Sequence, residues 1–132
     1  MPISLERDIP RRRLLARATG VLTIADALEF LRRARGDPEI ATWPLIFDAR
    51  GATTTLTTDE VASAVDATLE IRRTSTIPRG HVAIIADDNQ MFERFCLYET
   101  RLFAIGIRIV RVFRNSDEAQ RWLEVMHATR YF

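Results

Sequence analysis

Apolar and polar positions along this 132-residue chain change period several times, and each change marks an element. Two short extended segments, Ile3 to Asp8 and Arg12 to Ala18, flank Ile9-Pro10-Arg11. Proline interrupts a strand ladder and favours a turn, so the pair predicts an antiparallel hairpin whose second strand is closed by Gly20. From Thr23 the period lengthens. Ala27, Leu28, Leu31 and Ala34 recur at helical spacing, Asp26 stands where a capping-box partner of Thr23 belongs, and Gly36-Asp37-Pro38 ends the helix.

Leu45-Ile46-Phe47, ending in Asp48, is a continuous apolar run of the kind found in strands covered on both faces. Thr57 and Glu60 have capping-box spacing and introduce a second helix carrying Val61, Ala64, Val65, Thr68, Leu69 and Ile71. His81 to Ala86 is the clearest buried strand, and Asp87-Asp88-Asn89 starts a third helix that runs to about Ala104, with Gly106 suited to the position just past its end. Ile107 to Phe113 reads as a last strand with two charges, hence nearer a sheet edge. Asn115-Ser116-Asp117-Glu118 caps a final helix that turns Ala119, Trp122, Leu123 and Met126 inward.

The order β-β-α-β-α-β-α-β-α predicts one α/β domain over residues 1–132. Its core is a five-stranded mixed, mostly parallel sheet with right-handed crossovers and four helices.

Charge narrows the range of partners. Nineteen basic and eighteen acidic residues leave a formal net charge of +1, so no global field draws nucleic acid or an anionic membrane. Every basic residue is arginine, which removes lysine Schiff-base chemistry. The single cysteine, Cys96, has no internal partner, as expected in a reducing compartment. The opening Met-Pro-Ile-Ser-Leu-Glu lacks the pattern of a secretory signal, and no apolar stretch approaches the ~20 residues of a membrane span. A cytoplasmic protein with no membrane span is expected.

Candidate chemistry is sparse. In open α/β sheets ligands bind beyond the carboxyl ends of the strands. That places Asp48, Arg50, Asp87 and Asp88 on neighbouring loops, where three carboxylates would suit a hard cation. Helix capping by Asp88 and loop hydrogen bonds to Asp48 account for the same residues without a metal. The hydroxyl-rich run Thr53 to Thr58 precedes a helix N-terminus, where phosphate on Thr57 or Thr58 would be tolerated, though capping explains both. There is no glycine-rich phosphate loop and no nucleophile elbow, His81 and His127 lack partners at metal-ligand spacing, and Cys96 sits between Phe95 and Leu97 as a core or boundary residue. No cofactor and no catalytic residue is implied. The helix from Gln90 to Ala104 stands out: Met91, Phe92, Phe95, Leu97, Tyr98, Leu102 and Phe103 cover more of its circumference than one core stripe needs. Arg94 and Arg101, seven apart, share its polar edge.

Three stretches carry a resemblance: Ala18-Thr19-Gly20-Val21-Leu22-Thr23, Leu45-Ile46-Phe47-Asp48-Ala49-Arg50-Gly51, and the ending from Val112 to Leu123 with its Phe-Arg strand end, acidic cap and Ala-x-x-Trp-Leu. Through them the chain resembles the SpoIIAA-like family, a branch of the STAS superfamily. The resemblance implies the same strand and helix order, a non-enzymatic role, and a distant likeness to CRAL-TRIO domains that hold apolar ligands. Anti-sigma antagonists of that superfamily carry a phosphoserine motif that would fall at Leu56-Thr57-Thr58-Asp59; its acid and glycine are missing here, so a phosphoswitch does not carry over.

Two readings follow. One is a regulatory module that binds a partner protein or a second copy of itself, through an exposed apolar patch and without a deep pocket. The other is a carrier of a small apolar or lipid-like ligand, held in a cavity lined by Phe92, Phe95 and Tyr98. A metal-dependent enzyme using Asp48, Asp87 and Asp88 is the outlying third.

Overall fold

A computed structural model describes residues 2–129. The chain forms strands β1 (Ile3–Asp8), β2 (Arg13–Ala18), β3 (Val21–Leu22), β4 (Leu45–Asp48), β5 (Thr53–Thr54), β6 (Val82–Ile85) and β7 (Val110–Phe113). Its helices are α1 (Ile24–Arg35), α2 (Thr58–Arg73), α3 (Asn89–Ala104) and α4 (Ser116–Thr129). The main sheet has the order β1-β2-β4-β6-β7. Only the β1–β2 hairpin in it is antiparallel, and the other neighbours pair in parallel. The expected five-stranded mixed sheet with four helices is what the chain builds.

Strand alternation decides which face each helix covers. Leu45 and Phe47 of β4 and Val82 and Ile84 of β6 point into the larger core, with Leu14, Ala16, Phe30, Ala34 and Met91. Ile46, Ala83 and Ile85 point the other way, onto Ala119 and Leu123 of α4. Both faces of these strands are therefore apolar, which is why the sequence reads as unbroken runs. Helices α1, α2 and α3 lie on one face and α4 on the other. A third cluster, Val65, Leu102 and Ile107, seals α2 against the end of α3.

Local signals set the helix ends. Thr23 and Thr57 each close a complete capping box, with Asp26 and Glu60 respectively. Asp88 caps α3 by accepting from the Met91 amide at 2.9 Å. Gly106 adopts φ +88 beyond α3, and the Ile107 amide returns to the Leu102 carbonyl.

Three features depart from the sequence pattern. The strand expected from Ile107 begins only at Val110, because Ile107 is spent closing the end of α3 and filling the third cluster. The buried strand expected from His81 to Ala86 is Val82–Ile85 by its ladder. A small parallel pair, β3 with β5, was not expected; it ties the residues after the hairpin to the loop after β4. Edge position for the last strand is borne out, since β7 ends the sheet.

Candidate functional site

The candidate site is a cavity between the sheet and helices α1, α2 and α3. Its volume is about 100 Å³. The walls are almost wholly apolar: Leu45, Phe47 and Ile84 form the sheet side, and Val61, Ala64 and Phe95 the helical side. Phe47 meets Phe30 and Phe95 edge-on, with ring centroids 5.0 and 5.8 Å apart, so the aromatic floor has fixed geometry.

Charged residues also line this apolar space, and all of them are arginines: Arg35, Arg72, Arg79 and Arg94. Arg94 donates from Nε to the Leu56 carbonyl at 2.7 Å. Arg79 donates Nε to the Arg35 carbonyl at 2.9 Å and Nη2 to the Ile71 carbonyl at 3.0 Å, and Nη1 also meets the Ile77 carbonyl. The Arg35 and Ile71 carbonyls lie at the C-terminal ends of α1 and α2, where positive charge is favoured.

Arg35 is the unusual member. It is only 6% exposed. Nε donates to the Ala34 carbonyl at 3.1 Å, and Nη1 is shared among the carbonyls of Ala41, Trp43 and Gly80 at 3.2, 3.1 and 3.3 Å. Nη2 is buried and has no hydrogen-bond partner. Burial, reinforced by the Arg79 charge, lowers its pKa to about 10. Gly80 is obligatory beside it, since a Cβ there would stand 2.2 Å from the Trp43 carbonyl oxygen.

Tyr98 completes this end of the cavity. Its ring keeps some exposed surface, but its hydroxyl is deeply buried, and burial pushes its pKa up to about 12. That hydroxyl lies 2.6 Å from Thr68 Oγ1. Thr68 gives its own proton to the Ala64 carbonyl at 2.9 Å, so Tyr98 is the donor in the pair.

The residues singled out from the sequence therefore separate. Phe95, Tyr98 and Arg94 line the cavity. Phe92 does not: it packs into the core one turn nearer the start of α3, with the Arg114 guanidinium 3.9 Å from its ring centroid. Arg101 does not either: it is partly exposed and reaches the Thr58 carbonyl at the start of α2 at 3.4 Å. Thr57 is committed to its capping box, and Thr58 begins α2. Cys96 is half-buried, and its desolvation raises the thiol pKa.

Asp48 and Arg50 form a separate cluster at the carboxyl end of β4. Asp48 accepts from the Arg50 amide at 3.1 Å, from its Nε at 3.0 Å and from its Nη2 at 2.8 Å, with Arg17 Nη1 at 3.7 Å. These bonds hold the Asp48 carboxyl below its ordinary range, against the opposing effect of burial. Asp87 accepts from the Gly51 amide at 3.1 Å, and Asp88 is the α3 cap. Among the described residues no three His, Cys, Asp or Glu side chains are grouped to hold a metal ion. A broader depression of about 350 Å³ adjoins this cluster on the α4 side, lined by Arg17, Asp48, Arg50 and Gln120, but its central charges already satisfy one another.

Arg35 and Arg79 were missed from the sequence, and Thr68 was read there only as part of the α2 packing face. A signal for Arg35 was present: it continues the Ala27, Leu31 spacing by one further turn, so it falls on the buried face of α1.

No protein-family model matches this chain, and no curated protein does. Among solved structures it is similar to an uncharacterized protein of the DUF3478 family from Shewanella loihica, described as having a SpoIIAA-like fold. The two align with a TM-score of 0.51 and 18% identity, over 92% of this chain and 91% of the other. This chain has a SpoIIAA-like fold. In this SpoIIAA-like domain the aromatic helix α3 faces the sheet, and its middle turns wall a cavity. No helix among the described residues is long and apolar enough to cross a membrane.

The Asp48 cluster yields a pH-dependent prediction. A carboxyl with a lowered folded pKa stabilises the protein above its unfolded pKa, and that stability is lost as pH falls through the folded value. Asp48→Asn should cost roughly 1 kcal/mol at pH 7, a figure kept low because Arg50 is substantially exposed. Urea denaturation should show the gap closing as pH drops below about 4; an equal gap at both ends of that range contradicts the assignment.

Proposed function

We propose that this domain acts by binding a small, largely apolar molecule in the cavity between the sheet and α1, α2 and α3, without catalysing its conversion. The cavity itself carries the reading: it is a partly open recess with almost wholly apolar walls and a few polar groups at one end, the usual form of a small-molecule site. An apolar space of about 100 Å³ lined by fixed aromatic rings is of the same order as the ~150 Å³ engineered cavity that binds benzene. Its volume argues for a guest of a few carbon atoms and against a full-length lipid chain, so the carrier reading narrows to small molecules.

A partner-binding regulatory role has its own supporting observation. Where α3 ends, Phe103 and Ile105 are 58% and 48% exposed, and the Arg108 guanidinium lies 4.7 Å from the Phe103 ring centroid. Such a patch suits a protein contact or a second copy of the chain. Sedimentation at rising concentration tests it: association that Phe103→Arg abolishes supports this surface, and a monomer throughout opposes self-association.

The cavity reading is tested by NMR titration with benzene and butan-1-ol. Saturable amide shifts should centre on Val61, Ala64, Ile84, Phe95 and Tyr98, and Ala64→Phe, which fills the space, should abolish them. Shifts that never saturate, or that survive Ala64→Phe unchanged, would overturn the reading.

A further inference from the structure

The walls of the cavity are closed in different ways along their different seams. Between α2 and α3 the closure is apolar and deep: Val65, Leu102 and Ile107 are buried together, and Tyr98 lies 2.6 Å from Thr68 through their hydroxyls. Between α1 and the sheet, Leu22, Phe30 and Ala34 are buried as well. The seam between α1 and α2 is different. Its lining residues Ala27 and Leu31 on α1 and Ile71 on α2 are only half-buried, and Arg72 beside them is exposed.

What spans this seam is a side chain from the segment after α2. Arg79 donates Nε to the Arg35 carbonyl at the end of α1, at 2.9 Å, and Nη2 to the Ile71 carbonyl in the last turns of α2, at 3.0 Å. Its Nη1 meets the Ile77 carbonyl of its own segment. Arg79 lines the cavity and is itself half-buried, so it stands between the apolar space and solvent. A tie of this kind opens more easily than a packed seam. Its acceptors are neutral carbonyls, water can replace them at a half-buried position, and no ion pair among the described residues includes Arg79. Burial, and after it the like charge of Arg72, lower the Arg79 pKa, so the surroundings oppose its charge where it is held.

We propose that the cavity is entered between α1 and α2, and that Arg79 is the latch of this entrance. Release of its bonds to the Arg35 and Ile71 carbonyls lets the two helix ends part, a guest passes, and the bonds re-form. The latch is closed with and without a guest, so it adds the same barrier to entry and to exit. It therefore sets how fast a guest exchanges and leaves the affinity unchanged. Because it regulates that space, the latch rests on the cavity-binding reading.

The test follows benzene exchange by NMR, from line shapes and magnetisation transfer on the Val61, Ile84 and Phe95 side-chain resonances, in the wild type and in Arg79→Gln. Glutamine is too short to span both carbonyls. Entry and exit rates should both rise about tenfold, the worth of a lost charge-assisted hydrogen bond, with Kd within about twofold of the wild type. Arg79→Lys keeps the charge without the planar fork, so it should shift both rates in the same sense by a smaller factor. That variant decides the matter should Arg79→Gln fail to fold. Unchanged rates overturn the latch and leave the cavity reading intact, since benzene still binds. A faster exit alone, with Kd weakened in proportion, would mean that Arg79 merely supports the packing, and likewise overturns the latch. Benzene that fails to bind the wild type overturns the cavity reading and the latch with it.

Discussion

A guanidinium taken out of water must be surrounded by acceptors, and this requirement organises one end of the domain. Arg35 ends α1 with its side chain inside, so the segment after the helix and the residues leading to β6 bring their carbonyls to it. Gly80 follows from that convergence, because the backbone passes too close to Trp43 for any side chain. Arg79 repeats the device one layer out, tying the last turn of α2 to the last residue of α1. Helices α1 and α2 are thus fixed by two arginines at the ends where their dipoles favour positive charge. The cavity lies between what these side chains hold apart and the sheet below.

How much of this was legible depended on the range of the interaction. Capping boxes at Thr23 and Thr57 involve residues three apart, and the sequence displays them directly. The parallel strands were visible as apolar runs because α4 covers the face that α1, α2 and α3 leave. The β3–β5 pair joins two-residue segments 32 positions apart, as Val21 with Thr53 and Leu22 with Thr54, and no local pattern announces it. Ile107 was β-branched and apolar enough to read as strand, but the end of α3 claimed it. Within the site, helical spacing placed Phe95 and Tyr98 together, yet it could not show that Phe92 lies one turn beyond the cavity, under Arg114. Arg35 was obscured by its type: arginine in a last turn reads as a solvated, dipole-compensating charge, although its spacing from Ala27 and Leu31 put it on the buried face of α1.

The two polar centres of the molecule differ in completeness. At the carboxyl end of the strands, where α/β ligands commonly bind, Asp48 and Arg50 neutralise each other and the Asp87 carboxylate already holds the Gly51 amide. Around Arg35 the carbonyls of Ala41, Trp43 and Gly80 gather on one guanidinium nitrogen, and no ion pair among the described residues includes it. A SpoIIAA-like fold by itself does not choose between these places, since folds host unrelated sites. The side chains do, and they favour the cavity.

The most direct test of this account is a crystal structure of the protein grown in the presence of benzene. The account predicts one benzene between Phe95 and Ile84, beside Val61 and Ala64. A cavity closed by rearranged side chains, or benzene absent from it at saturating concentration, would contradict it.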